Sequence, residues 1–323
     1  MRAAWYDRPG PAAEVLVVGE LRDPEPGPGE VRVRVRLSGV NPGDTKKRLA
    51  WTGAAMPCPR VIPHSDGSGV VDAVGPGVDP ARVGRRVWVH GAQSYRANGT
   101  AATYVVLPQH LAVDLPDEVS DELGACLGIP GITAHRSVYG DGPVAGQVVL
   151  VHGVLGAVSR IAAQPARRGG ATVIGSVRRS ADLNAALDVV DHAVALDDDP
   201  ASAIRAIAPE GVDCVVEVAF SANVALDAEV LRQGGVVAAY GTVEAEPRIP
   251  FWPMLFDNLT IRLLGSDDFP PEARADAVRE LTAAAAAGAL TIPVARPLPL
   301  ERIAAAHDLV DAGSRERILV DLG

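Results

Sequence analysis

The sequence predicts an α/β protein in which a doubly wound parallel sheet is inserted in a mostly β domain built from both ends of the chain. Short strand patterns punctuated by Gly and Pro fill the region up to about residue 119. Apolar strands then alternate with alanine-rich helical stretches, and a last apolar strand, ILVDL, ends the chain. A length of 323 residues agrees with about two domains.

The first element is a turn-rich segment, Asp23 to Glu30, followed by the alternating run VRVRVRL. Successive side chains of a strand point to opposite faces, so Arg32, Arg34 and Arg36 share one face and the intervening valines the other. We expect the arginine face to be solvated; the alternative is a stripe that binds a partner. Strands are also expected at VVDAV and RVWVHG.

The middle of the chain alternates strands and helices, with strand patterns at VVLVHG, ATVIGSV, VDCVVEVAF and VVAAYG. This alternation favours a parallel sheet with crossover helices. After IRLLGSDDF, the stretch ELTAAAAAGAL predicts a helix that ends at a glycine. The expected domains are therefore 1–119 with 263–323, and 120–262.

Composition restricts the class of protein. With 48% hydrophobic and 22% charged residues and no apolar run of roughly 18 residues, the chain is expected to be soluble. A net charge of −10 argues against nucleic-acid and membrane partners. Three scattered cysteines and the lack of an apolar signal core at the N-terminus agree with the cytoplasm.

A glycine turn follows the first strand of the alternating region, in VVLVHGVLGAVSRIAA. Gly153 permits a tight turn, and Gly156 has no Cβ to block a pyrophosphate at the N-terminus of the next helix. The predicted phosphate-binding residues are Gly153, Val154, Leu155, Gly156, Ala157 and Val158. Ser159 replaces the third glycine of the usual pattern, and Pro165 is expected to kink the helix. An ordinary strand-to-helix turn is the alternative.

The second strand of this region ends in GSVRRS, which contributes Ser176, Arg178 and Arg179 to the predicted site. Two guanidiniums suit the additional phosphate of NADPH, whereas an acid there would bind the ribose of NADH. NADPH is therefore the expected cofactor. The acidic run Asp197 to Asp199 leaves NADH possible, and two solvated arginines are the alternative.

Six segments resemble, in order, the zeta-crystallin-like quinone oxidoreductases of the medium-chain dehydrogenase/reductase superfamily. They cover nearly the whole chain. They are Ser38 to Arg48, Pro63 to Val78, Gly128 to Arg136, Val151 to Val158, Leu231 to Thr242 and Pro299 to Val310. The resemblance implies a Rossmann domain inserted in a GroES-like catalytic domain, and a homodimer or another homo-oligomer.

The resemblance also implies a site without zinc. Zinc enzymes of the superfamily bind the metal through a Cys and a His-Glu pair. Here SGVNPGD occupies the region of the Cys, while Ser65 and Asp66 stand in place of His and Glu. His64 is displaced by one residue and is expected to be a polar turn residue; a metal ligand is the alternative. No cysteine lies between Cys58 and Cys126, so the structural zinc lobe is missing.

Site residues are carried over where this sequence matches the family. The resemblance places Asn41 beside the nicotinamide ribose, Thr133 near the nicotinamide, and Arg317 near the cofactor. Along the cofactor it places Tyr240, Gly241, Thr242 and Gly265. The candidate catalytic residues are Asn41, Asp44 and Lys46, and Lys46 stands where the family often has a Tyr. A lysine there could stabilise an oxyanion or supply a proton; a solvated or phosphate-binding lysine is the alternative.

Two further positions depart from the family, because Asp182 and Asp197 replace a Lys and a Tyr that serve the adenosine phosphate. The expected activity remains NADPH-dependent hydride transfer to a quinone or an α,β-unsaturated carbonyl compound, since such acceptors need no metal. A nucleotide-binding protein without turnover is one alternative. An enoyl reductase or an enzyme resembling alcohol dehydrogenase is another.

Overall fold

The chain forms two compact units in a computed structural model that describes residues 1–51, 53 and 55–323. The first unit comprises Met1–Pro130 and Val278–Gly323, and the second comprises Gly131–Ala277. The sequence-based ranges placed the boundaries earlier, at 119/120 and 262/263. The second boundary of the structure falls inside a helix, where no turn or composition change marks it.

The first unit contains two β-sheets, whose strands pair antiparallel except for the parallel pair β14–β15. A two-stranded sheet pairs β1 (Arg2–Trp5) with β2 (Val17–Glu20). The larger sheet has the order β14-β15-β3-β4-β5-β7, with β6 also paired to β3. Its strands are β3 (Glu30–Gly39), β4 (Asp66–Val74), β5 (Arg86–Val89), β6 (Tyr104–Pro108), β7 (Ala112–Asp114), β14 (Leu298–Pro299) and β15 (Leu319–Asp321). The helices are α1 (Ala12–Val15), α2 (Pro42–Leu49), α3 (Asp121–Gly124) and α11 (Ile303–Asp311).

The predicted alternation of β3 is confirmed. Val31, Val33 and Val35 are buried in one apolar core with residues of the neighbouring strands. On the other face, Arg34 and Arg36 are exposed. Arg32 differs, because it is half-buried, bonded through two nitrogens to Asp72 at 3.0 Å each.

The second unit is built on a six-stranded parallel sheet of order β10-β9-β8-β11-β12-β13. Its strands are β8 (Val148–Val151), β9 (Thr172–Val177), β10 (His192–Ala195), β11 (Val212–Glu217), β12 (Leu231–Ala239) and β13 (Thr260–Leu263). Its helices are α4 (Ile132–Tyr139), α5 (Ala157–Arg168), α6 (Leu183–Leu187), α7 (Pro200–Ile207), α8 (Phe220–Val230) and α9 (Phe251–Phe256). The strand order reverses at β8, which is the doubly wound arrangement that the alternation predicted.

The short strand β10 was not predicted, because only four residues form it and two of them are not fully buried. α5 continues past Pro165 to Arg168. The carbonyl of Pro165 accepts the helical hydrogen bond of the Gly169 amide and a second hydrogen bond from the Tyr139 hydroxyl of α4.

The end of the chain is as predicted. The alanine-rich stretch forms α10 (Pro271–Ala286), which contains the second boundary, and Gly288 follows it with φ +64, a backbone conformation that favours glycine. β15 pairs antiparallel with β3 and so completes the first unit. Among the described residues, no helix combines the length and apolarity needed to cross a membrane.

Candidate functional site

The glycine turn lies in the second unit at the carboxyl end of β8, beside the point where the strand order reverses. Gly153 has φ +60, which strains residues that carry a Cβ, so glycine is required. Its carbonyl accepts the Gly156 amide at 2.8 Å, and Gly156 is the N-cap of α5. The sequence therefore folds locally into the predicted strand, turn and helix.

The N-terminus of α5 is suited to an anion. Gly156 provides no capping side chain, so the first-turn amides, including those of Ala157 and Val158, receive no side-chain cap. These N–H groups and the helix dipole favour negative charge. The Val154 amide differs, because it donates to the Ser176 carbonyl at 3.1 Å. Leu155 is nearly buried. The turn fits a phosphate group, with the later amides as donors.

Arg178 and Arg179 are exposed just after β9. The Arg179 guanidinium forms an ion pair with Asp182 at 3.4 Å. Asp197 accepts hydrogen bonds from the Ser180 hydroxyl and amide, which lowers the pKa of its carboxyl. Arg178 has no ion pair within the described residues and is the arginine available to a phosphate.

Tyr240 is joined to the turn through Ser159. The Ser159 hydroxyl donates to the His152 carbonyl at 2.7 Å, so at 2.8 Å it accepts a hydrogen bond from the Tyr240 hydroxyl. Burial raises the pKa of the Tyr240 phenol. The third-glycine position thus holds a serine that connects the end of β12 to the turn.

The remaining predicted residues of the second unit have other local roles. A Cβ on Gly241 would collide with the Val218 carbonyl oxygen, so glycine is required there by packing. The Thr242 hydroxyl donates to the Glu244 carbonyl. Gly265 is exposed with open space around it, and Thr133 is buried in the first turn of α4.

A buried charged cluster lies beside the turn and was not predicted. His152, Glu217 and Asp227 have no exposed surface, and one ligand atom from each lies within 4.8 Å of the others. His152 Nε2 lies 2.9 Å from Asp227 Oδ1 and 3.6 Å from Glu217 Oε2. Its Nδ1 lies 2.7 Å from the Ser176 hydroxyl, which also accepts the Gly153 amide at 3.3 Å. The Ser176 hydroxyl is therefore occupied inside the protein.

The cluster perturbs its own ionisation. Burial opposes a charged His152, but its hydrogen bond to Asp227 and the two carboxylates outweigh burial and raise its pKa. Burial raises the pKa of Glu217 to about 6. The Glu217 carboxylate also accepts the Ala219 amide and the Asn223 side chain at the start of α8. The cluster thus joins β8, β9, β11 and α8.

In the first unit, Asn41 caps α2 and is buried. Its main-chain amide donates to Asp44 Oδ2 at 2.8 Å, so the Asp44 carboxylate stabilises the helix start. Asn41 Nδ2 donates to Asp66 Oδ2 at 2.7 Å, and Asp66 Oδ1 accepts the Ile129 amide at 2.9 Å. Asp66 is buried and was not predicted as a site residue.

Arg317 is brought next to Asn41, as its Nη1 donates to the Val40 carbonyl at 3.0 Å. The guanidinium is buried, and its Nε has no hydrogen-bond partner among the described residues. Lys46 is only half-buried, and its Nζ lies 4.8 Å from the centre of the Trp51 ring. A cation over an aromatic ring is a stabilising arrangement.

A buried chain of hydrogen bonds extends from Arg48 to Asp66. Arg48 Nε donates to His307 Nδ1 at 3.2 Å, so the His307 proton lies on Nε2 and is donated to His64 Nε2 at 2.9 Å. Burial lowers the pKa of His307 to about 3 and that of His64 well below its usual value, so both rings are neutral.

The chain continues in one direction because Thr100 must donate to the Asp66 carbonyl, at 2.6 Å. His64 Nδ1 therefore donates to Ser38, and Ser38 donates to Thr100, at 2.8 and 2.7 Å. His64 has φ +76, uncommon for a histidine. It lies in the irregular segment before β4 and is fully buried, with both ring nitrogens in hydrogen bonds.

Sequence patterns contained little signal for these buried groups. Along the chain, Glu217 follows Asp66 by 151 residues, and Asp227 follows Glu217 by 10. A single acid within an apolar pattern does not specify its partner. Burial of Glu217 at the end of an apolar strand was the available hint, because an unpaired buried carboxylate is costly.

Comparisons with known proteins agree with this architecture. The family described as alcohol dehydrogenase GroES-like domain matches residues 27–117, and the family described as zinc-binding dehydrogenase matches residues 157–291. Human quinone oxidoreductase is 30% identical over 312 residues, which are 93% of this chain and 91% of that protein.

Two solved structures have similar folds. An NAD-dependent alcohol dehydrogenase has a TM-score of 0.89 at 29% identity, covering 100% of both chains. A mycobacterial protein complexed with NADPH has a TM-score of 0.87 at 26% identity, covering 99% of this chain and 100% of that one. The first unit is thus GroES-like and the second a Rossmann unit, and the chain is an oxidoreductase that belongs to the zeta-crystallin-like quinone oxidoreductases of the medium-chain dehydrogenase/reductase superfamily.

Proposed function

We propose that the protein uses NADPH to reduce a quinone or an α,β-unsaturated carbonyl compound, without zinc. The observation that carries this proposal is the uncapped N-terminus of α5 behind the turn from Gly153 to Gly156, where the strand order reverses. Bound NADPH would supply a hydride to the acceptor, which also takes up a proton. The chain's own residues bind the coenzyme and the acceptor and orient them.

Arg178 supports NADPH over NADH. Its guanidinium lacks an ion pair within the described part of the chain. The two acids that argued against NADPH interact with neighbouring residues: Asp182 forms an ion pair with Arg179, and Asp197 accepts a hydrogen bond from Ser180. The similar structures include an NAD-dependent enzyme and a complex with NADPH, so the preference must be measured.

The donor set supports chemistry without zinc. Asp66 holds Asn41 and the Ile129 amide through its two oxygens, and Ser38 and His64 are used in the buried hydrogen-bond chain. Asp66 stands where the zinc enzymes of the superfamily have Glu, and both of its oxygens already have partners. Ser65 stands in place of the His; its buried Oγ has no partner among the described residues, but a hydroxyl is not one of the usual zinc ligands.

We assign a role to each group. The amides of Ala157 and Val158 bind the pyrophosphate, and Arg178 binds the additional phosphate. Asn41 and Arg317 contact bound ligand in the first unit. Lys46 stabilises the oxyanion of the acceptor; its position over Trp51 leaves the ammonium partly exposed to reach one.

The test is oxidation of NADPH by the purified protein with an ortho-quinone, in the presence of a strong chelator and with NADH in parallel. We expect turnover with NADPH and a preference that falls by about tenfold to a hundredfold in Arg178→Ala, since hydrogen bonds to charged groups contribute about 1.5–3 kcal/mol. Exposed Arg22→Ala is the matched control.

Three other outcomes would each contradict a part of this proposal. Binding of NADPH without oxidation across quinones and enones would favour a nucleotide-binding protein without turnover. Turnover that stops in chelator would contradict zinc independence. Unchanged turnover in Lys46→Met would remove the proposed role of Lys46.

We further propose a homo-oligomer, formed through an apolar surface of the second unit. Trp252 and Phe256 of α9 and Leu263 of the edge strand β13 have 64%, 69% and 75% of their surface exposed. An apolar surface of this kind marks an interaction site. Light scattering should give a multiple of the chain mass, and Phe256→Lys should lower it. A monomeric wild-type protein would contradict the proposal.

We also propose a cytoplasmic location. Cys58, Cys126 and Cys214 are free thiols, two of them buried, as expected in a reducing compartment.

A further inference from the structure

The Asn41 side chain has an asymmetric environment. Its Nδ2 is bonded to Asp66 at 2.7 Å, while its Oδ1 is buried and has no hydrogen-bond partner among the described residues. The Asn41 side chain faces the Asp44 amide in the capping box of α2, but that amide donates to the main-chain carbonyl of Asn41, at 2.9 Å. A buried acceptor without a partner is costly, which suggests that a ligand satisfies it.

The orientation of the amide follows from chemistry. Asp66 Oδ1 accepts the Ile129 amide, and an ionised carboxylate has only acceptors to offer at Oδ2. The group of Asn41 that faces Asp66 must therefore be the NH₂ group. Because Asp66 fixes the NH₂ group, the carbonyl oxygen must face the other way.

Asp66 is itself held firmly. Its carboxylate is bonded on both oxygens, and its main-chain carbonyl accepts the end of the hydrogen-bond chain from Arg48 through His307, His64, Ser38 and Thr100. In each hydrogen bond of that chain, only one of the two groups can be the donor. The acid that orients Asn41 thus cannot rotate or shift without breaking several buried bonds.

We propose that Asp66 is a positioning residue that fixes Asn41 as a hydrogen-bond acceptor, so that Asn41 Oδ1 binds a hydroxyl group of the ligand. This inference rests on the proposed function. The hydroxyl belongs either to a ribose of the coenzyme or to a reduced quinone, and the two sources are distinguishable by experiment.

The decisive test reverses the polarity of the pair. In Asp66→Asn, the new amide keeps its oxygen on the Ile129 amide and presents NH₂ to Asn41, which then flips and presents its own NH₂ group to the ligand. NADPH affinity, measured without quinone, should fall by about tenfold to a hundredfold, whereas the unfolding midpoint should change little.

The double variant Asn41→Asp with Asp66→Asn should restore most of the affinity. The amide introduced at position 66 then donates to the carboxylate introduced at position 41, whose other oxygen is again an acceptor. Asn41→Asp alone places two carboxylates face to face and should be worse than the double variant. Asp72→Asn, on the same strand β4 but paired with Arg32, is the matched control and should bind NADPH like the wild type.

The NADPH affinities, the KM for the quinone and the unfolding midpoints together distinguish the possible results. Weakened NADPH binding assigns the hydroxyl to the coenzyme; unchanged NADPH binding with a raised KM for the quinone assigns it to the acceptor. Affinity that only follows the unfolding midpoint, or no rescue in the double variant, would overturn the inference.

A measurement without ligand keeps the inference separate from the proposed function. In ¹⁵N-asparagine-labelled protein, the side-chain amide hydrogens of Asn41 should exchange slowly with solvent and their signal should vanish in Asn41→Asp. Fast exchange would show that Asp66 does not hold the amide. Failure of wild-type protein to bind NADPH, with slow exchange observed, would instead contradict only the proposed function.

Discussion

Gly128→Ala is expected to weaken NADPH binding by about tenfold to a hundredfold, as Asp66→Asn does, and to destabilise the protein. A Cβ at this position would collide with the Asp66 carboxylate, at both Oδ1 and Cγ. The carboxylate cannot retreat, because it is buried and bonded to Asn41 and to the Ile129 amide. Forced overpacking costs about 1–3 kcal/mol, and the displaced acid also releases Asn41.

Calorimetric unfolding and NADPH titration of Gly128→Ala measure the two effects. Gly43→Ala is a matched control in the same unit, since an added Cβ there meets nothing within 4 Å and alanine favours the helix α2. We expect Gly43→Ala to unfold at the wild-type temperature or slightly above. Wild-type affinity in Gly128→Ala would mean that Asp66 can move freely, contrary to its bonding.

Asp227→Ala is expected to destabilise the second unit by about 3–5 kcal/mol, because it leaves the His152 imidazolium buried without its closest charge partner. Glu217 lies farther away, at 3.6 Å, and burial favours its neutral form. Glu229→Ala is the control on the same helix, α8, because its side chain is exposed. Equal unfolding midpoints of the two variants would contradict this account.

Removing the charge of Asp227 should also change how the stability of the protein depends on pH. The folded-state pKa of His152 is raised, so its charge adds stability that is fully present below about pH 6.5 and is lost as the pH rises through the raised value. Asp227→Asn keeps the shape but removes the charge. The unfolding midpoint of Asp227→Asn should therefore lie further below that of the wild type at pH values under about 6.5 than at pH values well above it. A difference between the two midpoints that does not change with pH would exclude an ionised His152.

The sequence by itself determined the architecture, because hydrophobic periodicity is a local property. The alternation of valine and arginine in β3 and the apolar strands between helices each follow from side-chain spacing. The turn from Gly153 to Gly156 was also predictable, since glycine permits a conformation that other residues avoid. The resemblance added Asn41 and Arg317, which the structure places next to each other.

Only the tertiary structure decided how the buried polar groups are paired. His152 meets Asp227, 75 residues away, and Asn41 meets Asp66, because strands and helices that are distant in sequence end at the same place in the fold. It also showed that Ser176, predicted to bind the cofactor, and Asp44, a candidate catalytic residue, make hydrogen bonds inside the protein. Burial makes such pairing obligatory, but the partner is chosen by the fold, and local sequence does not contain that information.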